Sequence, residues 1–321
     1  MIRGDTMTEL VQRAGEVIRE VEKAVVGKDA AIEKIMTAII AGGHILIEDM
    51  PGVGKTTMAL AFSRAMGIEE KRVQFTPDIM PADLTGFSMY RKETGEFSYQ
   101  PGALMCNLFL ADEINRTSPK TQSALLEVME EGKVTVDGVT RETGRPFIVI
   151  ATENPEGSAG TQLLPESQLD RFMICLQMGY PTVEEEVEIL KRRKTGNPVE
   201  AVRNVMNGGQ ILRMQEEAAE VFVHDVIYEY IARLAKATRE QELLAAGVSP
   251  RGTVALAAMS RAAAWLSGRE YVIPEDVKQV FLSTARHRVR LSTKAKVGHV
   301  QPEDVLNQVL ADVKEPKIRK K

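Results

Sequence analysis

Cysteine is nearly missing from this chain: 321 residues contain two, Cys106 and Cys175, far apart in apolar stretches. That excludes a secreted disulfide framework and a thiolate metal cluster, and predicts two buried free thiols. Long hydrophobic runs are also missing. Stretches such as 104–111 fall well short of the roughly 20 apolar residues that cross a bilayer. The polar first nine residues carry no apolar core of signal-peptide length, so a cytoplasmic protein is expected. An excess of basic charge is lacking as well, since 41 Lys and Arg face 45 Asp and Glu for a net charge of −4. Nothing here draws the chain to nucleic acid in general, and no basic stripe or aromatic stacking platform stands out. The basic tail 314–321 reads as a solvated terminus. What remains, 44% apolar and 27% charged residues, describes a globular protein of about two domains.

Local patterns divide the chain near residue 180. Helical spacing marks 6–24, with Leu10, Val17 and Val21 on one side, and a second helix covers 29–41. His44-Ile-Leu-Ile-Glu48 reads as a buried strand feeding a glycine-rich loop and a helix over 56–66. Further strands are predicted at 73–76, 108–111 and 147–151. Two hairpins are expected, at 87–100 around Glu-Thr-Gly and at 133–141 around Asp137-Gly138. An amphipathic helix over 118–131 carries Pro119 near its start. After Gly179-Tyr-Pro181 no clear strand follows, and helices are expected near 183–194, 209–220, 225–240, 250–267 and 274–286. Pro-Glu-Asp-Val occurs at 274–277 and again at 302–305. Both copies read as helix starts, with proline in the first turn and acids at the positive helix end. The expected architecture is a three-layer α/β unit with a parallel sheet over 1–180 and an all-helical unit over 181–321.

Asp49-Met-Pro-Gly-Val-Gly-Lys-Thr56 lies between a strand and a helix, which is the setting of a phosphate-binding loop. Gly52 and Gly54 allow the tight turn that aims backbone N–H groups at phosphate oxygens. Lys55 supplies a charge to the outer phosphates, and Thr56 offers a hydroxyl to Mg²⁺. Asp49 occupies the first position, where the usual pattern has glycine. About sixty residues on, the apolar run Leu108-Phe-Leu-Ala ends in Asp112 and Glu113. Asp112 can reach the Mg²⁺ hydration shell, and Glu113 can orient and deprotonate an attacking water. Together with Lys55 they supply the positioning and charge neutralisation that phosphoryl transfer needs.

The run Val149-Ile-Ala-Thr-Glu ends in Asn154. This amide could hold the hydrolytic water or the γ-phosphate, or be a turn residue before Pro155. Arg171 precedes the apolar run 173–176, and Arg251 opens a helix after Ser249-Pro250. A lone arginine is ordinarily a surface or salt-bridge residue, and nothing local marks either as catalytic.

The chain resembles the MoxR family of AAA+ ATPases. The resemblance is carried by Met50-Pro-Gly-Val-Gly-Lys-Thr56, Phe75-Thr-Pro-Asp78, Ala111-Asp-Glu-Ile-Asn-Arg116, Lys120-Thr-Gln-Ser-Ala-Leu-Leu-Glu127, Ala151-Thr-Glu-Asn-Pro155 and 164–172. It spans about 8–290, and 111–131 is its most specific part. It implies ATP and Mg²⁺ as cofactors, an AAA+ core and a helical lid. In that scheme Pro51, Gly52, Val53, Gly54, Lys55, Thr56 and Thr57 form the phosphate loop, and Val26-Gly27 meets the adenine. Thr56 and Asp112 hold Mg²⁺, and Glu113 serves as the base. Asn154 matches the first sensor, Arg171 the arginine finger that reaches a neighbouring subunit, and Arg251 the second sensor, arriving from the lid. Arg116 is expected at the subunit interface. The resemblance further implies a homo-oligomeric ring, usually a hexamer, with both hairpins near its axis. It also implies a chaperone-like role with a von Willebrand factor A domain partner. A magnesium chelatase-like subunit shares the architecture. A nucleic-acid motor and a nucleotide-binding scaffold with little turnover are further alternatives, the first disfavoured by the charge balance and the second by the intact Glu113.

Overall fold

Leu10, Val17 and Val21 are all buried along one side of α1 (Met7–Ala24), as their helical spacing requires. The computed structural model describes residues 7–49, 52–153, 164–194 and 196–316. After α1 come α2 (Asp29–Ile40), β1 (Ile45–Glu48), α3 (Lys55–Met66), β2 (Glu70–Gln74) and the short α4 (Pro81–Thr85). A hairpin of β3 (Gly86–Arg91) and β4 (Glu96–Pro101) leads to β5 (Leu108–Asp112) and α5 (Pro119–Glu131). A second hairpin, β6 (Lys133–Val136) and β7 (Val139–Glu142), precedes β8 (Ile148–Glu153), α6 (Glu166–Leu169) and β9 (Ile174–Leu176).

Five of these strands form one parallel sheet in the order β2-β5-β8-β1-β9. The strands read as near-continuous apolar runs because helices cover both faces. Alternate residues enter two different cores. Ile45, Ile47, Leu108, Leu110, Ile148 and Ile150 face one cluster with α1, α2 and α3. Leu46, Phe109, Ala111, Val149 and Ala151 face the other, with Phe75, Leu125 and Leu126. Burying each such Ile, Leu or Phe stabilises the fold by roughly 1.5–3 kcal/mol. β2 is the exception to the apolar rule. Its sequence Glu-Lys-Arg-Val-Gln is mostly polar, because it pairs on one side only, with β5. It therefore starts three residues earlier than apolarity alone predicts.

The chain continues into α7 (Val183–Lys194), α8 (Gly208–Ala219), α9 (Asp225–Glu240), β10 (Leu244–Ala246), α10 (Pro250–Leu266) and α11 (Pro274–Ala285), then β11 (Arg290–Leu291), α12 (Thr293–Val297) and α13 (Pro302–Asp312). Proline stands at the first turn of α5, α10, α11 and α13. Ser118 and Ser249 cap α5 and α10 by accepting from the N–H of Thr121 and Gly252. The all-helical expectation needs one correction: β10 and β11 pair antiparallel. At three and two residues they are too short for periodicity, and their partners lie more than forty positions apart.

The break at residue 180 is a change of pattern, not of packing. The cluster against α1 and α2 runs on through Ile211, Met214, Met259 and the fully buried Trp265. The two hairpins are separate two-stranded sheets rather than extensions of the central one. Asp137 and Gly138 both have positive φ, as the tight turn between β6 and β7 demands. The Arg141 guanidinium lies 3.8 Å from the centre of the Tyr99 ring and ties one hairpin to the other. Phe87, Met89, Tyr90 and Phe97 remain exposed on the first. Cys106 and Cys175 are buried free thiols, as expected.

Candidate functional site

Strand β1 delivers the chain to the phosphate loop at the carboxyl edge of the sheet, where α/β folds bind ligands. Gly52 (φ 90°) and Gly54 (φ 94°) take left-handed conformations, while a Cβ at either would meet no atom within 4 Å. Backbone conformation, not space, demands glycine there. α3 begins directly at Lys55, so its N-terminal N–H groups and positive dipole end open onto the loop. Lys55 is buried, and its Nζ donates to the carbonyl of Asp49 at 2.7 Å. Burial pushes its ammonium below the ordinary lysine range, while Asp112, Asp49 and Glu113 pull it back up. Thr56 and Thr57 follow in the first turn of the helix. Met50, Pro51 and Asn154 lie outside the described residues.

Asp112 ends β5 beside this loop. Its Oδ1 accepts from the Thr152 hydroxyl at 2.7 Å and its Oδ2 from Arg72 Nη2 at 2.7 Å. Glu113 leaves the strand with φ 57°, a strained conformation for a non-glycine residue, and its N–H donates to Thr152 Oγ1 at 2.9 Å. Its Oε2 accepts from Gln74 Nε2 at 2.9 Å and Arg116 Nη1 at 2.7 Å. Arg116 therefore contacts Glu113 of its own chain. Arg72, Gln74 and Thr152 escaped the sequence reading. Arg72-Val-Gln74 places two polar side chains on one side of β2, and Gln74 registers opposite Asp112. Only the strand order turns that alternation into a site.

A cleft beside the loop is lined by Val26, Val53, Thr57, Pro181, Ile189 and Arg193. Its apolar walls suit a planar base, and Gly52 and Gly54 of the loop also line it. Gly27 (φ 69°) borders it, and a Cβ there would sit 2.0 Å from the Glu185 carboxyl. These residues fit a nucleotide: a base slot, a cradle of backbone N–H groups, a buried ammonium and a carboxylate. Among the described residues no cluster of three His, Cys, Asp or Glu could hold a metal alone. One carboxylate and one hydroxyl are the donor set for Mg²⁺ that keeps waters and phosphate oxygens as its other ligands.

Arg171 and Arg251 do not join this site. Arg251 Nη2 lies 2.5 Å from Glu130 Oε1, and Arg171 Nη2 lies 3.4 Å from Glu130 Oε2. Glu130 is in the last turn of α5, next to Met129, whose carbonyl contacts His44 Nε2 at 2.9 Å. The Met173 N–H donates to the His44 carbonyl at 2.8 Å. Ser249 and Arg288 hold Asp170, each at 2.8 Å. The whole group surrounds the amino end of β1, while Lys55 lies past its carboxyl end. At ~3.3 Å per residue the five steps from 44 to 49 put those two ends of the strand segment ~16 Å apart. The expected arrival of Arg251 from the lid at this chain's own phosphate loop is therefore not what the fold provides. Arg251 stands with Arg171.

The ATPase family associated with various cellular activities (AAA) matches residues 44–174, and the AAA lid domain matches 236–309. The chain is 45% identical to the uncharacterized protein YeaC of Bacillus subtilis, over 94% of each. It is 41% identical to the chaperone MoxR1 of Mycobacterium tuberculosis, covering 94% of this chain and 82% of that one. The crystal structure of a putative ATPase from Cytophaga hutchinsonii superposes with a TM-score of 0.88 at 33% identity, over 97% of each chain.

Proposed function

The chain belongs to the MoxR family of AAA+ ATPases, and from that footing we propose that it works as a chaperone-like ring motor whose ATP sites are completed between subunits. ATP hydrolysis is the family's activity; assembly, the residue roles and the remodelling of a partner are our reading. The observation that carries it is the opposed placement of the two halves of the site. Lys55, Asp112 and Glu113 converge at one edge of the sheet. Arg171 and Arg251 share Glu130 at the other. A head-to-tail ring sets one edge against the next subunit's opposite edge, and closes the site.

In this reading Val26 and Val53 hold the base, and Gly52–Thr56 wrap the phosphates. Thr56 and Asp112 would hold Mg²⁺, which when bound neutralises phosphate charge. Glu113 takes the proton of the attacking water after its carboxylate turns from Gln74 and Arg116. Asn154, as the first sensor, helps place that water. The neighbour's Arg171 and Arg251 stabilise charge developing on the transferred group. A partner with a von Willebrand factor A domain is supported by the family resemblance, and the exposed Phe87, Met89, Tyr90 and Phe97 offer it apolar contacts. No helix among the described residues is long and apolar enough to cross a membrane.

Concentration tests the assembly. Turnover per chain should climb with protein concentration in step with the ring population seen by light scattering. A rate per chain that stays flat across the monomer-to-oligomer range would sink the proposal. Lys55→Ala should weaken fluorescent-nucleotide binding by at least ~10-fold, the scale of losing a charge-assisted contact.

A further inference from the structure

Asp49 departs from the glycine usual at its position, and the structure gives the departure a use. Asp49 Oδ2 accepts the Met178 N–H at 2.7 Å and the Gly179 N–H at 2.6 Å. Both donors lie just past β9, in the linker that enters α7 and the helical region. The same residue donates its N–H to the Glu153 carbonyl at 3.1 Å and accepts from Lys55 Nζ through its own carbonyl at 2.7 Å. One residue thus touches the first-sensor strand, the phosphate-loop lysine and the linker. Glycine could make the two main-chain contacts, but not the bridge to 178–179.

Neighbouring contacts run the same way. Glu48, one position earlier, binds Arg286 at 3.1 Å, and Arg286 in turn binds Glu303 of α13 at 2.8 Å. Lys28 Nζ donates to the Tyr180 carbonyl at 3.3 Å, and Pro181 forms a wall of the base cleft. The linker is therefore gripped by the loop at 178–179 and held at 180, and it lines the base cleft at 181. A loop and a wall that meet the two ends of one ligand are joined by a single carboxylate.

We propose that Asp49 is a positioning residue that couples occupancy of the phosphate loop to the 178–181 linker and, through it, to the helical region. The mechanism is local. Phosphate draws Lys55 from the Asp49 carbonyl and releases that peptide. The carboxylate shifts with its backbone, and the two N–H groups it holds shift with it. A packed helix transmits such a displacement because the interior does not absorb it. This rests on the phosphate-loop reading above, and the test separates the two.

The test is hydrogen exchange on the full chain with and without saturating Mg·ADP, read in a peptide spanning 176–182. Wild type should show exchange there altered by at least about threefold on nucleotide addition. Asp49→Asn keeps an acceptor oxygen and should retain the response. Asp49→Gly restores the usual loop residue; it should hold ADP within about threefold of wild type, lose the response at 176–182 and turn over ATP about tenfold more slowly. A wild-type linker indifferent to nucleotide overturns the proposal without any variant. So does Asp49→Gly that keeps the linker response, or one that loses ADP affinity instead, since the aspartate would then act only inside the loop. Retained nucleotide binding by Lys55→Ala would instead overturn the phosphate-loop reading itself.

Discussion

Replacing Arg171 or Arg251 with alanine should each lower turnover on the order of 10³-fold, the scale of losing an arginine that stabilises phosphoryl transfer. The informative experiment mixes variants, because the proposed ring assigns each group to a particular subunit. Arg171 and Arg251 share Glu130, so in that ring one subunit would donate both to the same neighbour. Glu113 belongs to the recipient. Consider a mixture with fraction x of Arg251→Ala and 1 − x of Glu113→Gln subunits. A site works where an Arg251→Ala subunit with intact Glu113 meets a neighbour with intact arginines, a fraction x(1 − x) of interfaces. Equal mixing should restore about one quarter of wild-type turnover, and Arg171→Ala mixed with Glu113→Gln should do the same. Arg171→Ala mixed with Arg251→Ala should stay at the residual rate, since every donor lacks one arginine. Had Arg251 served its own chain's nucleotide, this last mixture would recover about one quarter and the Arg251→Ala/Glu113→Gln mixture would not. Steady-state phosphate release against mixing ratio distinguishes the two patterns. The second pattern would refute the placement of both arginines on one donating edge.

Glu113→Gln should bind nucleotide normally and hydrolyse it ~10²–10⁴-fold more slowly, the range of lost general-base catalysis; a turnover within tenfold of wild type would remove Glu113 from that role. Glu153 should make the fold less stable as pH rises. Burial first, then the charge and hydrogen bond of Glu48, push its carboxyl up to about 8. The folded chain keeps a proton that the unfolded chain releases near the ordinary glutamate value, so stability falls between about pH 4.5 and 8 and levels off above. Glu153→Gln should flatten that fall in thermal melts, and an unchanged slope counts against the buried proton. Glu20 has the opposite sign. Burial works to raise its pKa, but hydrogen bonds from Arg203 and Lys23 outweigh it and bring the carboxyl down to about 2. Its contribution is complete above the unfolded value and disappears as pH falls toward 2, and Glu20→Gln should cost about 1–3 kcal/mol at pH 7 by denaturant titration.

How much of this could be read in advance depends on the distance between cause and effect along the chain. Gly52, Gly54 and Lys55 were legible because a phosphate loop is built from consecutive residues between a strand and a helix. The Asp112-Glu113 pair was legible because a buried strand shows as an apolar run, and its end is where acids can act. Two of the helices after 180 announced themselves through the Pro-Glu-Asp-Val starts at 274 and 302. β10 and β11 did not, being shorter than one period of any pattern and paired across a long separation.

The chain order alone therefore determined the class of fold, the family resemblance and the half-site of Lys55, Asp112 and Glu113, all set by neighbours in sequence. The tertiary structure alone decided which edge of the sheet each distant residue occupies. It put Arg72 on Asp112 and Gln74 on Glu113, because β2 is hydrogen-bonded to β5. It gave Asp49 two N–H groups from 178–179, contacts spanning about 130 positions that no local pattern encodes. It also sent Arg251 to Glu130 beside Arg171, toward the opposite end of β1 from the loop that Arg251 was expected to serve. The physical reason is common to all three. Backbone pairing and side-chain packing fix positions between elements, and a linear sequence carries only what happens within them.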